Sequence, residues 1–187
     1  CGVDSQPGVG STFWFTARVK RGHGILPAED SNGAATAELL LRQRHRGARI
    51  LVAEDNEVNQ EVLLAMLYGV GLNVDVAANG QEAVEMAKAG DYSLALMDRQ
   101  MPVMGGLEAT RAIRALPDWR GRPIIALTAN AFDDDRLACK ASGMNDFIVK
   151  PVDANALYAT ILDWLDGAGE GAGRHLDGSW PPDDGHA

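Results

Sequence analysis

An α/β fold built on a doubly wound, five-stranded parallel sheet is predicted for the centre of this 187-residue chain by three observations. Strand and helix signals alternate five times over residues 48–166. The strand candidates are near-continuous apolar runs, as strands buried on both faces require. The residues closing those runs are carboxylates, a hydroxyl and a lysine, and a doubly wound sheet keeps its working groups at the carboxyl ends of its strands.

The first strand is "RILVAE" (49–54), followed by "EVNQEVLLAMLYGVG" (57–71), which has helical spacing and a terminal glycine. "NVDVAA" (73–78) is the second strand, with a helix over "GQEAVEMAKAG" (80–90). The third strand, "YSLALMD" (92–98), ends in a carboxylate before a Met-Pro turn and a helix over "GGLEATRAIRAL" (105–116). "PIIALTA" (123–129) and "DFIVK" (146–150) are the last strands, separated by a helix over "DDDRLACKASG" (133–143). "DANALYATILDWL" (153–165) closes the set as a helix, and the parallel crossovers are expected to be right-handed.

The flanks differ. Residues 1–20 combine a Gly-rich turn with an alternating aromatic strand at Thr12–Val19. Residues 21–47 have linker composition, apart from "AELLLRQR" (37–44), which suits a helical turn or two. Residues 167–187 have the Gly/Pro/Asp content of a disordered tail or linker. The chain begins with Cys1 rather than Met, which reads as a piece of a longer protein whose remainder is free to be membrane-bound.

A net charge of −9 and the lack of any basic run argue against a nucleic-acid surface. No apolar run reaches the roughly 18 residues of a membrane span, so no membrane contact is expected of this stretch. Cys1 and Cys139 have no metal-ligand spacing and read as incidental thiols of a reduced, cytoplasmic protein. His23, His45, His175 and His186 all fall in linker or tail, without the context of a reactive histidine.

The predicted topology brings Glu54, Asp55, Asp98, Thr128 and Lys150 to one edge of the sheet. Carboxylates gathered in one cleft repel unless a cation joins them, and all-oxygen ligation suits Mg²⁺. The backbone carbonyl of Gln100, two residues after Asp98, is a further candidate ligand. A carboxylate beside Mg²⁺ can attack a phosphoryl donor, which makes Asp98 a candidate nucleophile. Lys150 would pair with one phosphoryl oxygen, and the Thr128 hydroxyl would hydrogen-bond another.

These residues resemble a known pattern. "ILVAEDNEVNQ", "LALMDRQMPVMGGLEATRAIR", "PIIALTANAF" and "GMNDFIVKPV" are similar, in order and across the whole core, to the receiver domain of two-component signalling attached to hybrid sensor histidine kinases. The resemblance implies a flavodoxin-like (βα)5 fold with strand order 2-1-3-4-5. It implies that Asp98 is the phosphoacceptor, that Glu54 and Asp55 hold Mg²⁺, and that Thr128 and Lys150 contact the phosphoryl group. It also implies a cis Lys150–Pro151 bond and a switch aromatic at Phe147 that turns inward as Thr128 moves. The implied partners are a histidine kinase domain bearing phospho-histidine and a histidine phosphotransfer domain. Slow self-dephosphorylation is the only reaction expected of the receiver by itself, while the parent would be a protein-histidine kinase. Arg99, next to Asp98, departs from the family's small apolar residue; Gln100 and Asn130 stand where the family tunes phosphate lifetime. "GVDSQPGVGSTFWFTARV" is similar to the end of a histidine-kinase ATP-binding domain, with Gly8 and Gly10 in its last glycine-rich box, although the other nucleotide-contacting boxes are absent.

Plainer readings stand beside these. Glu54 and Asp55 can simply cap a helix, and Phe147 reads equally as a core aromatic. The helix at 57–71 carries Val58, Val62, Leu63, Met66, Leu67 and Val70, more than one buried face needs, and reads either as a wide core stripe or as partly a docking face. Two other functions fit the fold: an Asp-nucleophile phosphohydrolase and an interaction module without phosphorylation. The first resembles a pattern with a second Asp two residues after the nucleophile, where this chain has Gln100. The intact set of five strand-end residues argues against the second.

Overall fold

The computed structural model describes residues 2–6, 10–14, 31–129 and 133–167. Residues 1–30 and 31–187 form two compact units. In the first, strand β1 (Gly2–Gln6) pairs antiparallel with β2 (Gly10–Trp14). Gly10, at φ +137°, sits in backbone territory that favours glycine. Sequence periodicity predicts one strand at Thr12–Val19; the strand found lies earlier and has a partner, and residues 15–20 fall outside those described. The 21–30 part of the expected linker and the expected tail at 168–187 also lie outside them.

The second unit contains α1 (Ser31–Arg44), β3 (Arg49–Ala53), α2 (Glu57–Gly69), β4 (Asn73–Ala77) and α3 (Gly80–Ala89). They are followed by β5 (Leu94–Asp98), α4 (Gly106–Arg114), a 3-10 turn (Pro117–Trp119) and β6 (Ile124–Thr128). The last elements are α5 (Asp133–Ser142), β7 (Asp146–Val149) and α6 (Ala154–Gly167). The five strands are all parallel, in the order β4-β3-β5-β6-β7, which is the expected 2-1-3-4-5 order of the doubly wound fold.

Burial follows position in the sheet. Central strands β5 and β6 are buried at every residue, whereas edge strands β4 and β7 are not. Alternation along each strand separates two cores. Ile50, Val52, Leu94, Leu96, Ile125 and Leu127 meet α2 and α6 on one face. Leu51, Ala53, Ala95, Met97, Ile124 and Ala126 meet α3, α4 and α5 on the other.

Helix starts are set locally. Asn56 caps α2 by accepting the Asn59 amide at 3.1 Å. Asn79 caps α3 from the Glu82 amide at 2.9 Å, and Glu82 reaches back to the Ala78 amide at 2.8 Å.

Helix α1 is the main departure from the expected organisation. Linker composition with a helical turn or two at 37–44 is instead a 14-residue helix. Ala37 and Leu41 are buried in the same core as Tyr158, Ile161 and Leu165 of α6. At its end Arg44 and His45 hold Asp166 at 3.0 and 2.7 Å. The composition around residues 31–36 has no strong periodicity, so the helix owes its place to packing rather than to its own amphipathic pattern.

Leu41 has no exposed surface and Leu39 is 52% exposed. Leu41→Ala is expected to lower the unfolding free energy by about 2–5 kcal/mol. Leu39→Ala is expected to change it by less than about 0.5 kcal/mol. Urea denaturation checks the contrast, and equal effects would mean that α1 does not dock.

Candidate functional site

The strand order decides which groups meet. Adjacent strands β3, β5, β6 and β7 all end at the same edge, and the residue at or just past each end carries chemistry. Glu54 and Asp55 follow β3, Asp98 closes β5, Thr128 closes β6 and Lys150 follows β7. Glu54, Asp98 and Thr128 are buried, Lys150 is partly buried and Asp55 is exposed. One ligand oxygen from each of Glu54, Asp55 and Asp98 lies within 4.8 Å of the others.

Lys150 Nζ bridges two of these carboxylates, donating to Glu54 Oε2 at 2.6 Å and to Asp98 Oδ2 at 2.7 Å. The Lys150–Pro151 peptide is cis. The Lys150 amide donates to the Thr128 carbonyl at 2.7 Å, fixing one strand end against the next. The other oxygens are held too. Asp98 Oδ1 accepts the Gln100 amide at 3.2 Å, and Glu54 Oε1 accepts Asn59 Nδ2 at 2.9 Å. Gln60 Nε2 donates to the Glu54 carbonyl at 2.6 Å.

Burial pushes the Asp98 carboxyl above its ordinary value; Lys150 and the Gln100 amide oppose that push, and the nearby Glu54 adds to it. Burial also works against the Lys150 charge, but its bonds to Asp98 and Glu54 together outweigh it and hold the ammonium above the usual lysine range. Three carboxylates face one ammonium, so the cluster remains anionic. Hard oxygen donors with an excess of negative charge fit a divalent cation such as Mg²⁺.

Glycine allows the β5 end its close neighbour. A Cβ on Gly106, at the start of α4, would lie 2.0 Å from the Asp98 carbonyl oxygen. The Gly106 amide donates to the Arg99 carbonyl at 3.0 Å, and the Arg99 amide to the Leu127 carbonyl at 3.2 Å, so Arg99 continues the ladder with a half-buried side chain. Phe147 is half-buried against the second core, with the Arg136 guanidinium carbon 5.0 Å from its ring centroid. Asn130 lies outside the described residues.

Sequence reasoning missed Asn59, Gln60 and Gly106. The signals were available: two amide side chains in the first turns of the helix after Glu54–Asp55, and a Gly-Gly pair after the Asp98 loop. The broad apolar set of α2 divides. Leu63, Leu67 and Val70 are buried, whereas Val58 and Val62 are 67% and 45% exposed.

A model of the response regulator receiver domain matches residues 50–162. The chain belongs to that family. It is 35% identical over 173 residues to hybrid signal transduction histidine kinase K of Dictyostelium discoideum, covering 86% of this chain and 14% of that protein. It is 36% identical over 165 residues to the aerobic respiration control sensor protein of Escherichia coli, covering 88% of this chain and 20% of that protein. The chain thus spans a quarter or less of the length of these relatives. The receiver domain of a Pseudomonas aeruginosa sensor histidine kinase, solved with a magnesium ion in its active-site cleft, is 45% identical with a TM-score of 0.62, over 64% of this chain and 98% of that one. A Saccharomyces cerevisiae receiver domain solved in complex with a histidine phosphotransfer protein is 36% identical with a TM-score of 0.60, over 64% of this chain and 89% of that one. The receiver is homologous to receiver domains of hybrid histidine kinases, and the phosphohydrolase and non-phosphorylated alternatives are not favoured. Among the described residues no helix is long and apolar enough to cross a membrane.

Three substitutions probe the geometry. Gly106→Ala is expected to cost about 1–3 kcal/mol in urea denaturation, because the β5 end or α4 must shift. Gly105→Ala, whose nearest contact would be at 3.6 Å, is expected to cost less. Asp98→Asn removes a buried charge whose desolvation the folded state opposes, and is expected to stabilise the metal-free receiver by about 0.5–2 kcal/mol. A lower thermal midpoint for Asp98→Asn would contradict this account.

Proposed function

We propose that this receiver takes a phosphoryl group from a phospho-histidine onto Asp98 and thereby changes its contacts with a partner. The observation that carries the reading is the Lys150 bridge to Asp98 and Glu54 beside an acidic cluster. An Asp98 carboxylate oxygen attacks phosphorus, the P–N bond to the donor imidazole breaks, and the departing imidazole nitrogen takes a proton. Glu54, Asp55, Asp98 and the Gln100 carbonyl are the residues assigned to Mg²⁺. When bound, that ion neutralises oxygens of the transferring group. Lys150 turns from carboxylate to a phosphoryl oxygen, keeping its charge in the cleft as the negative charge grows. Thr128 hydrogen-bonds another phosphoryl oxygen, and Phe147 turns inward behind it. Hydrolysis of the acyl phosphate resets the domain slowly.

The partner assigned is a histidine phosphotransfer domain or the kinase domain of the parent protein. The exposed Val58 and Val62 on the helix beginning beside Glu54–Asp55 offer an apolar docking strip at the rim of the site. The yeast complex, a receiver with a phosphotransfer protein, supports this choice. We assign the hairpin β1–β2 to the end of a kinase ATP-binding domain. In support, similarity to the Dictyostelium kinase covers 86% of the chain, well beyond the receiver match at 50–162. The parent is then a hybrid sensor histidine kinase with this receiver on its cytoplasmic side, where phospho-histidine forms from ATP.

Intact-protein mass after incubation with acetyl phosphate tests the reading. A single phosphate-sized increase is expected with Mg²⁺, and none without Mg²⁺ or in Asp98→Asn. No adduct on the native chain under any of these conditions would overturn it.

A further inference from the structure

Arg136 is unused by the chemistry above, yet it faces the residue assigned to the switch. It sits in the first half of α5, the helix that follows β6 and Thr128. Its guanidinium carbon stands 5.0 Å from the Phe147 ring centroid, inside the distance at which a cation is attracted to the face of an aromatic ring. Neither residue is exposed, so the contact is partly shielded from water.

The surroundings fix the backbone of Phe147, while its ring packs at the edge of the second core. In the β6–β7 register Phe147 pairs with Ala126, two residues before Thr128, while Val149 pairs with Thr128 itself. The Phe147 amide donates to Asp146 Oδ1 at 2.8 Å, and Asp146 Oδ2 in turn accepts Trp164 Nε1 at 2.9 Å from α6. Past the strand, the Lys150 amide is tied to the Thr128 carbonyl at 2.7 Å. With both ends of β7 anchored, turning Phe147 is a side-chain event. A one-rotamer change about χ1 swings the ring through about 120°, which moves its face away from a guanidinium on α5.

We propose that Arg136 is a positioning residue for the switch: stacked on Phe147, its guanidinium holds the aromatic in the resting rotamer and sets how readily phosphorylation at Asp98 turns it. The inference rests on the reading that Asp98 is phosphorylated and that Phe147 responds. A cation–π contact at a partly exposed site stabilises one of two states by a factor of about two to five. A ligand that selects the other state must overcome that factor, so its apparent affinity is lower by the same amount. Lysine keeps the charge but loses the planar stacking, so it replaces arginine only in part.

The test is Mg²⁺-dependent binding of beryllofluoride, a phosphoryl mimic, to the 187-residue chain, followed by the aromatic NMR signals of Phe147. Arg136→Met is expected to tighten half-saturation about two- to five-fold, with Arg136→Lys in between. The resting Phe147 signals are expected to shift toward the bound positions before any mimic is added. In a Phe147→Leu background Arg136→Met is expected to have no effect. A merely destabilising substitution would weaken binding, so tightening separates the two roles. If the native chain binds the mimic but Arg136→Met leaves affinity unchanged or weaker, or acts equally without Phe147, the inference is wrong and the receiver reading stands. If the native chain shows no Mg²⁺-dependent binding, both fall.

Discussion

Lys150 joins two buried carboxylates that would otherwise repel, and much of the architecture serves that contact. The lysine follows edge strand β7, Asp98 closes β5 two strands away and Glu54 follows β3 beyond it. Neighbouring strands are about 4.8 Å apart, so only a long side chain leaning across the end of β6 reaches both. Parallel pairing puts all the strand ends on one side, and this strand order puts the four relevant ones next to one another. An antiparallel sheet of the same residues would scatter these groups between two edges.

The bridge leaves the site charged by design. Burial raises the Asp98 carboxyl, while Lys150 is held protonated by its two partners. A buried ion pair with a surplus carboxylate is weak as a source of stability, since desolvation offsets much of its attraction. It is well suited to accept a further cation and then an incoming group that carries its own negative charge. Asn59 and Gln60 hold Glu54 in place while its other oxygen faces Lys150. Gly106 lets the α4 start lie against the Asp98 carbonyl. These contacts fix geometry more than they add stability.

The sequence made the core and the site legible for a physical reason. Buried parallel strands are continuous apolar runs, and a charged or hydroxyl residue closing such a run has few structural alternatives. That is how Glu54, Asp98, Thr128 and Lys150 stand out in the sequence. Helix α1 was hidden because its place depends on Ala37 and Leu41 meeting α6, more than 100 residues later. The split of the α2 apolar set was hidden for a related reason: periodicity says which residues share a face, not how wide a face the neighbours cover. Arg136 gave no sequence signal because a lone arginine on a polar helix is ordinarily solvated.

The same geometry bears on how the domain transmits a signal. The proposed phosphoryl transfer would change bonding close to Asp98, whereas a partner would read a surface. In the proposed function Thr128 and Phe147 connect the two, and they lie on adjacent strands whose backbones are tied by the register of β6 with β7 and by the Lys150 amide. A rigid sheet does not bend by degrees, so information leaves as a choice between discrete side-chain positions. Such a choice responds to small ligands only when its two states lie within a few kcal/mol of each other. Contacts as modest as a guanidinium over an aromatic ring are then large enough to shift the resting population, and the Lys150 charge can stay in the cleft without locking the surface.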